Sequence, residues 1–287
     1  MKAYFIINKI AGKKRIKNIE LFIAKYFYLC EYEIYYTEYN GHASEISSQA
    51  VRNHINLVIA LGGDGTVSEC ANSIAGSDTI LGVIAAGSGN GFAYHFNIKE
   101  NLVNSIKNLN KLKVEKIDMF NVNNCGLVNV GGVGFDAYIA CLFSKRKKRG
   151  LRTYIKLILE NLNYQAQNYT IEYNGKSRNV SAFLIAFANT SQYGNNLKIS
   201  PRADAKDGLI DLVIVKSFPK WKIGYFFINL LLGRIMKSKY VEIIKLDKVK
   251  ITSNEKFIHI DGECIELKNN FIEIGLSSKK LKTLIKK

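Results

Sequence analysis

Hydrophobic positions along the first third of the chain alternate between two periods. Residues 3–7 form a short apolar run, and Ile16, Ile19, Ile23, Tyr26 and Phe27 follow at helical spacing. Residues 32–36 are β-prone, after which Ala43, Ile46, Ala50 and Val51 return to one helical face. Residues 57–61 and 80–84 are continuous apolar runs, as strands buried on both faces of a parallel sheet should be. Between them Val67, Cys70, Ala71 and Ile74 mark a helix that Gly76 ends, and Leu102, Val103, Ile106 and Leu109 mark another. This alternation predicts a parallel sheet with helices on its faces.

The character changes near Val114. Short β-prone segments then dominate, at residues 116–122, 127–130, 169–173, 180–188, 209–215, 241–244, 249–252, 257–260 and 271–274. Asn174-Gly175 lies between two of them and is a strong hairpin signal. Helical patterns interrupt at 151–162 and 220–232. The pattern predicts a second, mostly antiparallel β domain. No repeat or low-complexity linker marks the boundary, which we set between residues 1–117 and 118–287, with the final strand and tail able to return to the first domain.

Composition narrows the class. The chain has 287 residues, 47% of them hydrophobic and 11% aromatic, enough for a sizeable core and against disorder. Five Cys without pattern argue against a disulfide framework or a zinc site and for buried, reduced thiols. After Met1-Lys2 the chain enters a strand-like run without a secretory signal, and its apolar runs fall short of the roughly 20 residues of a membrane span. A soluble cytoplasmic protein is the expectation. The formal net charge of +17 favours polyanions or anionic surfaces: nucleic acid, phosphorylated small molecules or acidic lipid head groups. Its densest clusters are Lys145-Arg146-Lys147-Lys148-Arg149 and Lys279, Lys280, Lys282, Lys286 and Lys287. A Lys-rich composition used only for solubility explains the charge equally well.

The most informative segment is 57–69, Leu-Val-Ile-Ala-Leu-Gly-Gly-Asp-Gly-Thr-Val-Ser-Glu. A buried strand runs into Gly62-Gly63-Asp64-Gly65-Thr66 and a helix follows at once. Three glycines in four positions let the backbone approach a ligand closely. The helix N-terminus adds N–H groups and a partial positive charge, which together make a phosphate site. Asp64 beside phosphate needs a metal ion or a hydroxyl proton to accept, and Thr66 either caps the helix or contacts phosphate. The plain alternative, a strand-to-helix turn capped by Asp or Thr, needs at most one glycine. A second turn, Ala85-Ala86-Gly87-Ser88-Gly89-Asn90-Gly91, follows the next strand at the same carboxyl level of the sheet, where open α/β folds bind ligands. Neither turn has P-loop spacing or the dinucleotide pattern after the first strand, which argues against both classes.

With these motifs in order, the sequence resembles the diacylglycerol kinase catalytic family, lipid kinases that include sphingosine kinases and bacterial diacylglycerol kinases. The Gly-Gly-Asp-Gly-Thr turn is shared more widely with NAD kinases and phosphofructokinases. Asn8-Lys9-Ile10-Ala11-Gly12 stands where the family has its first nucleotide loop, with Lys9 in place of the usual Pro. Thr37, Gly41-His42-Ala43 and Glu45 look like the family's Thr…Gly-His-Ala segment. Residues 87–93 resemble its Gly-Thr/Ser-x-Asn-Asp-Phe-Ala loop, with Gly91 replacing the Asp, and residues 132–137 its Gly-x-Gly-Phe-Asp-Ala run. The resemblance covers nearly the whole chain. It implies an NAD kinase/diacylglycerol kinase-like fold of two domains, a parallel α/β nucleotide domain plus an antiparallel β-sandwich domain, with the nucleotide in the cleft. By resemblance, ATP is cradled by Asn8, Gly12, Thr37, Gly62, Gly63, Asp64, Gly65, Thr66, Glu69 and Ser88, and its γ-phosphoryl group passes to a lipid hydroxyl.

Two acidic clusters add chemistry. Asp204 and Asp207, with the carbonyl of Leu209, suit a hard oxygen-ligated cation, and a turn built by Asp and Gly is the alternative. The resemblance assigns them a structural Mg²⁺. Asp261-Gly262-Glu263 presents two carboxylates at a sharp turn, which by itself reads as a solvated hairpin. By resemblance it is a family hallmark, with Glu263 as proton acceptor and Asp261 beside it. Phosphoryl transfer needs in-line positioning, charge neutralisation and a carboxylate to deprotonate the attacking hydroxyl. Asp64 remains the other candidate for that last task, or for holding catalytic Mg²⁺. His42, His54, His95 and His259 lack metal spacing and read as structural or exposed, and Asp136 reads as support for the domain interface.

A lipid kinase has to reach a bilayer. The run beginning at Trp221 is apolar over about three turns and either covers the sheet or dips into the interface. Residues 145–149 offer anionic lipid roughly 1 kcal/mol for each basic side chain near the surface. The expectation is an ATP- and Mg²⁺-dependent lipid kinase acting on diacylglycerol or a sphingoid base, cytoplasmic and peripheral to the inner face of the membrane, with a homodimer among the implied assemblies. The alternatives are an NAD kinase-like phosphotransferase, a basic nucleic-acid-binding protein, for which no helix-turn-helix or zinc signature is present, and a degenerate kinase that binds nucleotide without turnover, which Gly91 keeps open.

Overall fold

A computed structural model describes residues 1–11, 18–99, 101–111, 113–146 and 150–286. The chain forms two compact units. The first comprises Met1–Ile117 and Ser278–Lys287, the second Asp118–Ser277.

The first unit begins β1 (Lys2–Asn8), α1 (Ile19–Tyr26), β2 (Glu31–Thr37), α2 (His42–Arg52), β3 (Leu57–Gly62), α3 (Asp64–Ile74) and β4 (Ile80–Ala85). It continues through α4 (Gly91–His95), α5 (Leu102–Leu109) and β5 (Lys113–Ile117). β1 pairs in parallel with both β2 and β3, and β3 in parallel with β4, so strand order reverses at β1. Alternation along β1 explains the layers. Ala3, Phe5 and Ile7 face Ile19 and Ile23 of α1 and Ile106 and Leu109 of α5, while Tyr4 and Ile6 point to the face where α2 and α3 pack. Leu57, Ile59 and Leu61 join the α1/α5 side, and every residue of β3 is buried, as its unbroken apolar run requires.

The second unit opens with β6 (Phe120–Val122), β7 (Cys125–Leu127), β8 (Val130–Gly134), α6 (Phe135–Ser144) and α7 (Leu151–Glu160). Then come β9 (Gln167–Tyr173), β10 (Lys176–Ala182), β11 (Leu184–Ala188), β12 (Ile210–Val215), a 3-10 turn at Lys220–Lys222 and α8 (Ile223–Leu232). β13 (Val241–Leu246), β14 (Lys248–Thr252), β15 (Phe257–Ile260), β16 (Glu263–Glu266) and β17 (Phe271–Leu276) complete it. These strands form two antiparallel sheets, ordered β10-β9-β14-β17-β6-β7 and β13-β12-β11-β8-β15-β16. Phe120, Tyr169, Ile251 and Ile274 of one interlock with Val133, Phe187, Leu212 and Ile258 of the other, a β-sandwich core. The second sheet is buried on its other face too: Ala186, Val213 and Val215 meet Ile139 of α6, Leu157 of α7 and Phe226 and Leu230 of α8. The chain then returns to the first unit as β18 (Leu281–Ile285), between β4 and β5 of its sheet.

The Asn174-Gly175 turn joins β9 to β10 with φ of 49° and 70°, the left-handed pair a two-residue hairpin needs. Other expectations shift. The run at 116–122 is two strands, because the chain leaves one unit and enters the other between Ile117 and Phe120. β8 lies at Val130–Gly134, later than the run at 127–130, since its three glycines carry no β signal. The cysteine expectation is corrected: Cys141 of α6 and Cys264 of β16 form a disulfide across 123 positions of sequence. Among the described residues Cys30, Cys70 and Cys125 are thiols, and burial pushes Cys70 up to about 12. No helix among the described residues is long and apolar enough to cross a membrane.

Candidate active site

In the first unit four sequence-predicted residues or turns stand at the carboxyl ends of adjacent parallel strands. Asn8 ends β1 in register with Thr37, which ends β2. Gly62 ends β3 in register with Ala85 of β4. The bends after β3 and β4 touch. The main-chain N–H groups of Ala86 and Gly87 donate to the Gly62 carbonyl at 2.8 and 3.0 Å. A Cβ at Gly87 would lie 2.4 Å from the Cα of Gly63, and one at Gly62 would lie 2.5 Å from Oγ1 of Thr66. Two of these glycines are therefore required by the close approach of backbone and side chain alone. α3 starts at Asp64 directly after the bend, and the N–H groups of a first helical turn have no intrahelical acceptor.

Polar side chains lock these loops together. Asn8 accepts from the N–H groups of Ile10 and Ala11 through Oδ1, at 3.0 and 3.3 Å, and donates through Nδ2 to Oγ1 of buried Thr66 at 3.2 Å. Asp64 accepts the N–H of Phe92 at 3.3 Å, which ties the start of α3 to α4. Glu69 accepts the N–H groups of Gly41 and Ala43, both at 3.1 Å, so its carboxylate caps α2. Gly65 is half-buried and Ser88 exposed on the second bend, where Asn90 both accepts from and donates to the backbone of Gly87. Gly91 opens α4. Gly12 of the expected nucleotide loop lies outside the described residues, as do Lys147, Lys148 and Arg149 of the internal basic cluster and Lys287 of the terminal one.

In the second unit Asp261 and Gly262 are the two-residue turn between β15 and β16, with φ of 52° and 88°. Their surroundings separate the two carboxylates. Asp261 is buried and accepts the N–H groups of Val128 and Asn129 at 3.1 and 2.8 Å. Glu263, two residues on, opens β16 as an exposed side chain. Behind the hairpin, buried Asp136 of α6 accepts from the hydroxyl of Tyr193 at 2.8 Å and lies 3.2 Å from Nε2 of His259.

Asp204 and Asp207 stand on an exposed loop that Asp118 holds through the N–H of Gly208 at 2.8 Å. Oδ1 of Asp204 accepts the Lys206 N–H at 3.1 Å, and Oδ1 of Asp207 accepts the Leu209 N–H at 3.0 Å. Exposed carboxylates beside a bent backbone have the hard-oxygen chemistry that suits Mg²⁺. One feature was invisible in sequence: the ammonium of Lys245, 38 residues away, bonds Oδ2 of Asp207 at 2.5 Å. That contact raises the Lys245 pKa, so a cationic charge already sits at this carboxylate. Among the described residues no cluster of three or more His, Cys, Asp or Glu side chains forms a metal site.

Comparison with known proteins follows the division into units. Residues 2–122 match the diacylglycerol kinase catalytic domain, and residues 129–273 match the YegS C-terminal NAD kinase beta sandwich-like domain. A diacylglycerol kinase of Bacillus subtilis (strain 168) is 26% identical over 271 residues, which cover 91% of this chain and 89% of that protein. In structure the chain is similar to a diacylglycerol kinase from Bacillus anthracis str. Sterne, with a TM-score of 0.74 at 19% identity over 99% of this chain and 97% of that one. It is also similar to an NAD kinase from Archaeoglobus fulgidus solved in complex with ATP, with a TM-score of 0.56 at 11% identity over 99% and 93% of the two chains. At these identities the structural likenesses speak for the fold alone.

Proposed function

Because this chain belongs to the diacylglycerol kinase catalytic family and is a lipid kinase, we propose that ATP is its phosphoryl donor, that a lipid hydroxyl of the diacylglycerol or sphingoid-base type is its acceptor, and that Glu263 takes the acceptor's proton. The observation that carries this is the pair of touching glycine bends at the carboxyl ends of β3 and β4, followed at once by the start of α3. Main-chain N–H groups at a helix N-terminus favour phosphate by hydrogen bonding and by the helix dipole together. Asn8, Thr37 and Ser88 border the triphosphate. Asp64 and Glu69 act by holding the loops in shape.

In the reaction a bond forms from the lipid hydroxyl oxygen to the γ-phosphorus. The bond from that phosphorus to the bridging oxygen breaks, ADP leaves with the electron pair, and the hydroxyl proton passes to Glu263. Glu263 suits this task by being a carboxylate exposed at the end of a tight hairpin, whereas both oxygens of Asp261 serve the main chain. Mg²⁺, when bound, supplies charge neutralisation to the triphosphate, and Asp204, Asp207 and the carbonyl of Leu209 would hold a structural Mg²⁺ once the Lys245 ammonium gives way at Asp207. The net charge of +17 supports peripheral contact with the anionic inner face of the membrane from the cytoplasm.

The test is transfer from γ-labelled ATP in the presence of Mg²⁺, offered in parallel to diacylglycerol and sphingosine in mixed micelles and to NAD in solution. Label extracted into chloroform with a lipid acceptor is the expected result. Label on NAD alone would overturn the acceptor and favour the NAD kinase-like alternative.

A further inference from the structure

Helix α8 buries one side and leaves the other bare. Phe226 and Leu230, four residues apart, pack into the core beneath the second sheet, with Ile235 completing the contact. On the opposite stripe Trp221 is 80% exposed, Tyr225 61%, Ile228 53% and Leu232 57%. Their spacing of four, three and four residues continues one face from the 3-10 turn to the end of the helix. Leu231 and Met236 widen the stripe at about two-fifths exposure each. Four large apolar side chains in a row on a surface mark a docking face and are more than the scattered exposure of an ordinary surface.

The charge around this face identifies what covers it. Residues 219–240 contain Lys220, Lys222, Arg234, Lys237 and Lys239 and no acidic residue. The bases flank both ends of the apolar stripe, and the ammonium of Lys222 lies 4.9 Å from the centre of the Trp221 ring. A second copy of this chain is a poor occupant, since two such faces would bring like charges together. An apolar stripe with a basic rim is the pattern of a helix that lies in the headgroup region of an anionic bilayer with its apolar side toward the acyl chains.

We infer that α8 is the membrane-entry element of this enzyme: the stripe Trp221–Tyr225–Ile228–Leu232 enters the interface of an anionic lipid surface while the flanking lysines and Arg234 meet the head groups. This rests on the lipid-kinase reading for the need to reach a bilayer, but its geometry belongs to α8 alone. The sequence pattern alone fits both covering the sheet and dipping into the interface. The structure gives each role to one side of the helix.

Trp221 is the sole tryptophan of the chain, so its fluorescence reports this face and no other. The experiment adds vesicles of phosphatidylglycerol and phosphatidylcholine, with or without bromine along the acyl chains, to the full chain. A blue shift of the emission and quenching by the brominated lipid are expected, both much weaker with phosphatidylcholine alone. The double variant Ile228→Asp, Leu232→Asp, at positions outside the core, should bind these vesicles at least about tenfold more weakly with an unchanged melting temperature. It should still phosphorylate a short-chain, water-dispersed acceptor at the wild-type rate. Sedimentation with vesicles while Trp221 emission stays unchanged would overturn the proposal, because another surface would then be binding. So would a lipid-free dimer in which Trp221 is shielded from a soluble quencher. If Trp221 enters the bilayer but no lipid is phosphorylated, the docking face stands and the kinase reading falls.

Discussion

Glu263 and Asp261 are two residues apart, and their surroundings differ. Asp261 is buried with two main-chain N–H groups bonded to its carboxylate, while Glu263 projects from the start of β16. Asp261→Ala leaves two buried donors without that acceptor and should cost about 3 kcal/mol, read as a lower melting temperature. Glu263→Gln should lower turnover by at least about 100-fold while changing the melting temperature less than Asp261→Ala does. The sequence marks the Asp-Gly-Glu turn as acidic, but which carboxylate points inward depends on Val128 and Asn129, more than 130 positions away. Lys245 was equally hidden, because its partner Asp207 lies on a distant loop. A third residue-scale expectation concerns Glu242 of β13, which bonds Arg178 of β10 at 2.9 Å. Arg178 holds its carboxyl below the usual Glu range. Because the folded value lies below the unfolded one, the stabilisation is complete above the ordinary Glu pKa and is lost as pH falls through the folded value. The pair is partly exposed, so solvent screening limits it to about 0.5 kcal/mol. Acid unfolding of Glu242→Gln should show a correspondingly shallower fall in stability across that window.

At the scale of elements, the bends after β3 and β4 are each shaped by the other. Gly87→Ala would drive a Cβ to 2.4 Å from the Cα of Gly63, and main chain cannot yield as a side chain does. We expect a loss of about 1–3 kcal/mol together with weaker ATP binding by calorimetric titration. The disulfide joins α6 to β16 just after Glu263. Reduction should lower stability by about 3 kcal/mol, and Cys264→Ser should abolish that sensitivity to reductant. The elements that were legible share a physical cause. β1, β3 and β4 are buried on both faces and carry unbroken apolar runs, and the β9–β10 hairpin carries the Asn-Gly its turn needs. β8 is hard to place from sequence because glycine gives no β signal where Phe187 and Asp136 crowd its backbone. α6 shows in the sequence only as the motif at 132–137. β16 is four residues long with charged ends, too short for a period to declare itself. The apolar run around α8 was visible, but which side it buries depends on Val213 and Val215, contributed by β12.

For the whole molecule, the excess of positive charge constrained partners without choosing among them. What chose the lipid kinases was the order of short motifs along the chain, borne out by the matches to residues 2–122 and 129–273. The same motifs do not say which lipid accepts the phosphoryl group, because its pocket follows from shape and not from a signature. The central claim is that the triphosphate of ATP rests on main-chain amides at the bend after β3. A crystal structure with a non-hydrolysable ATP analogue tests it most directly. The phosphates should lie within hydrogen-bonding distance of the N–H groups of residues 63–66. An ordered nucleotide bound elsewhere, with that bend untouched, would contradict the account.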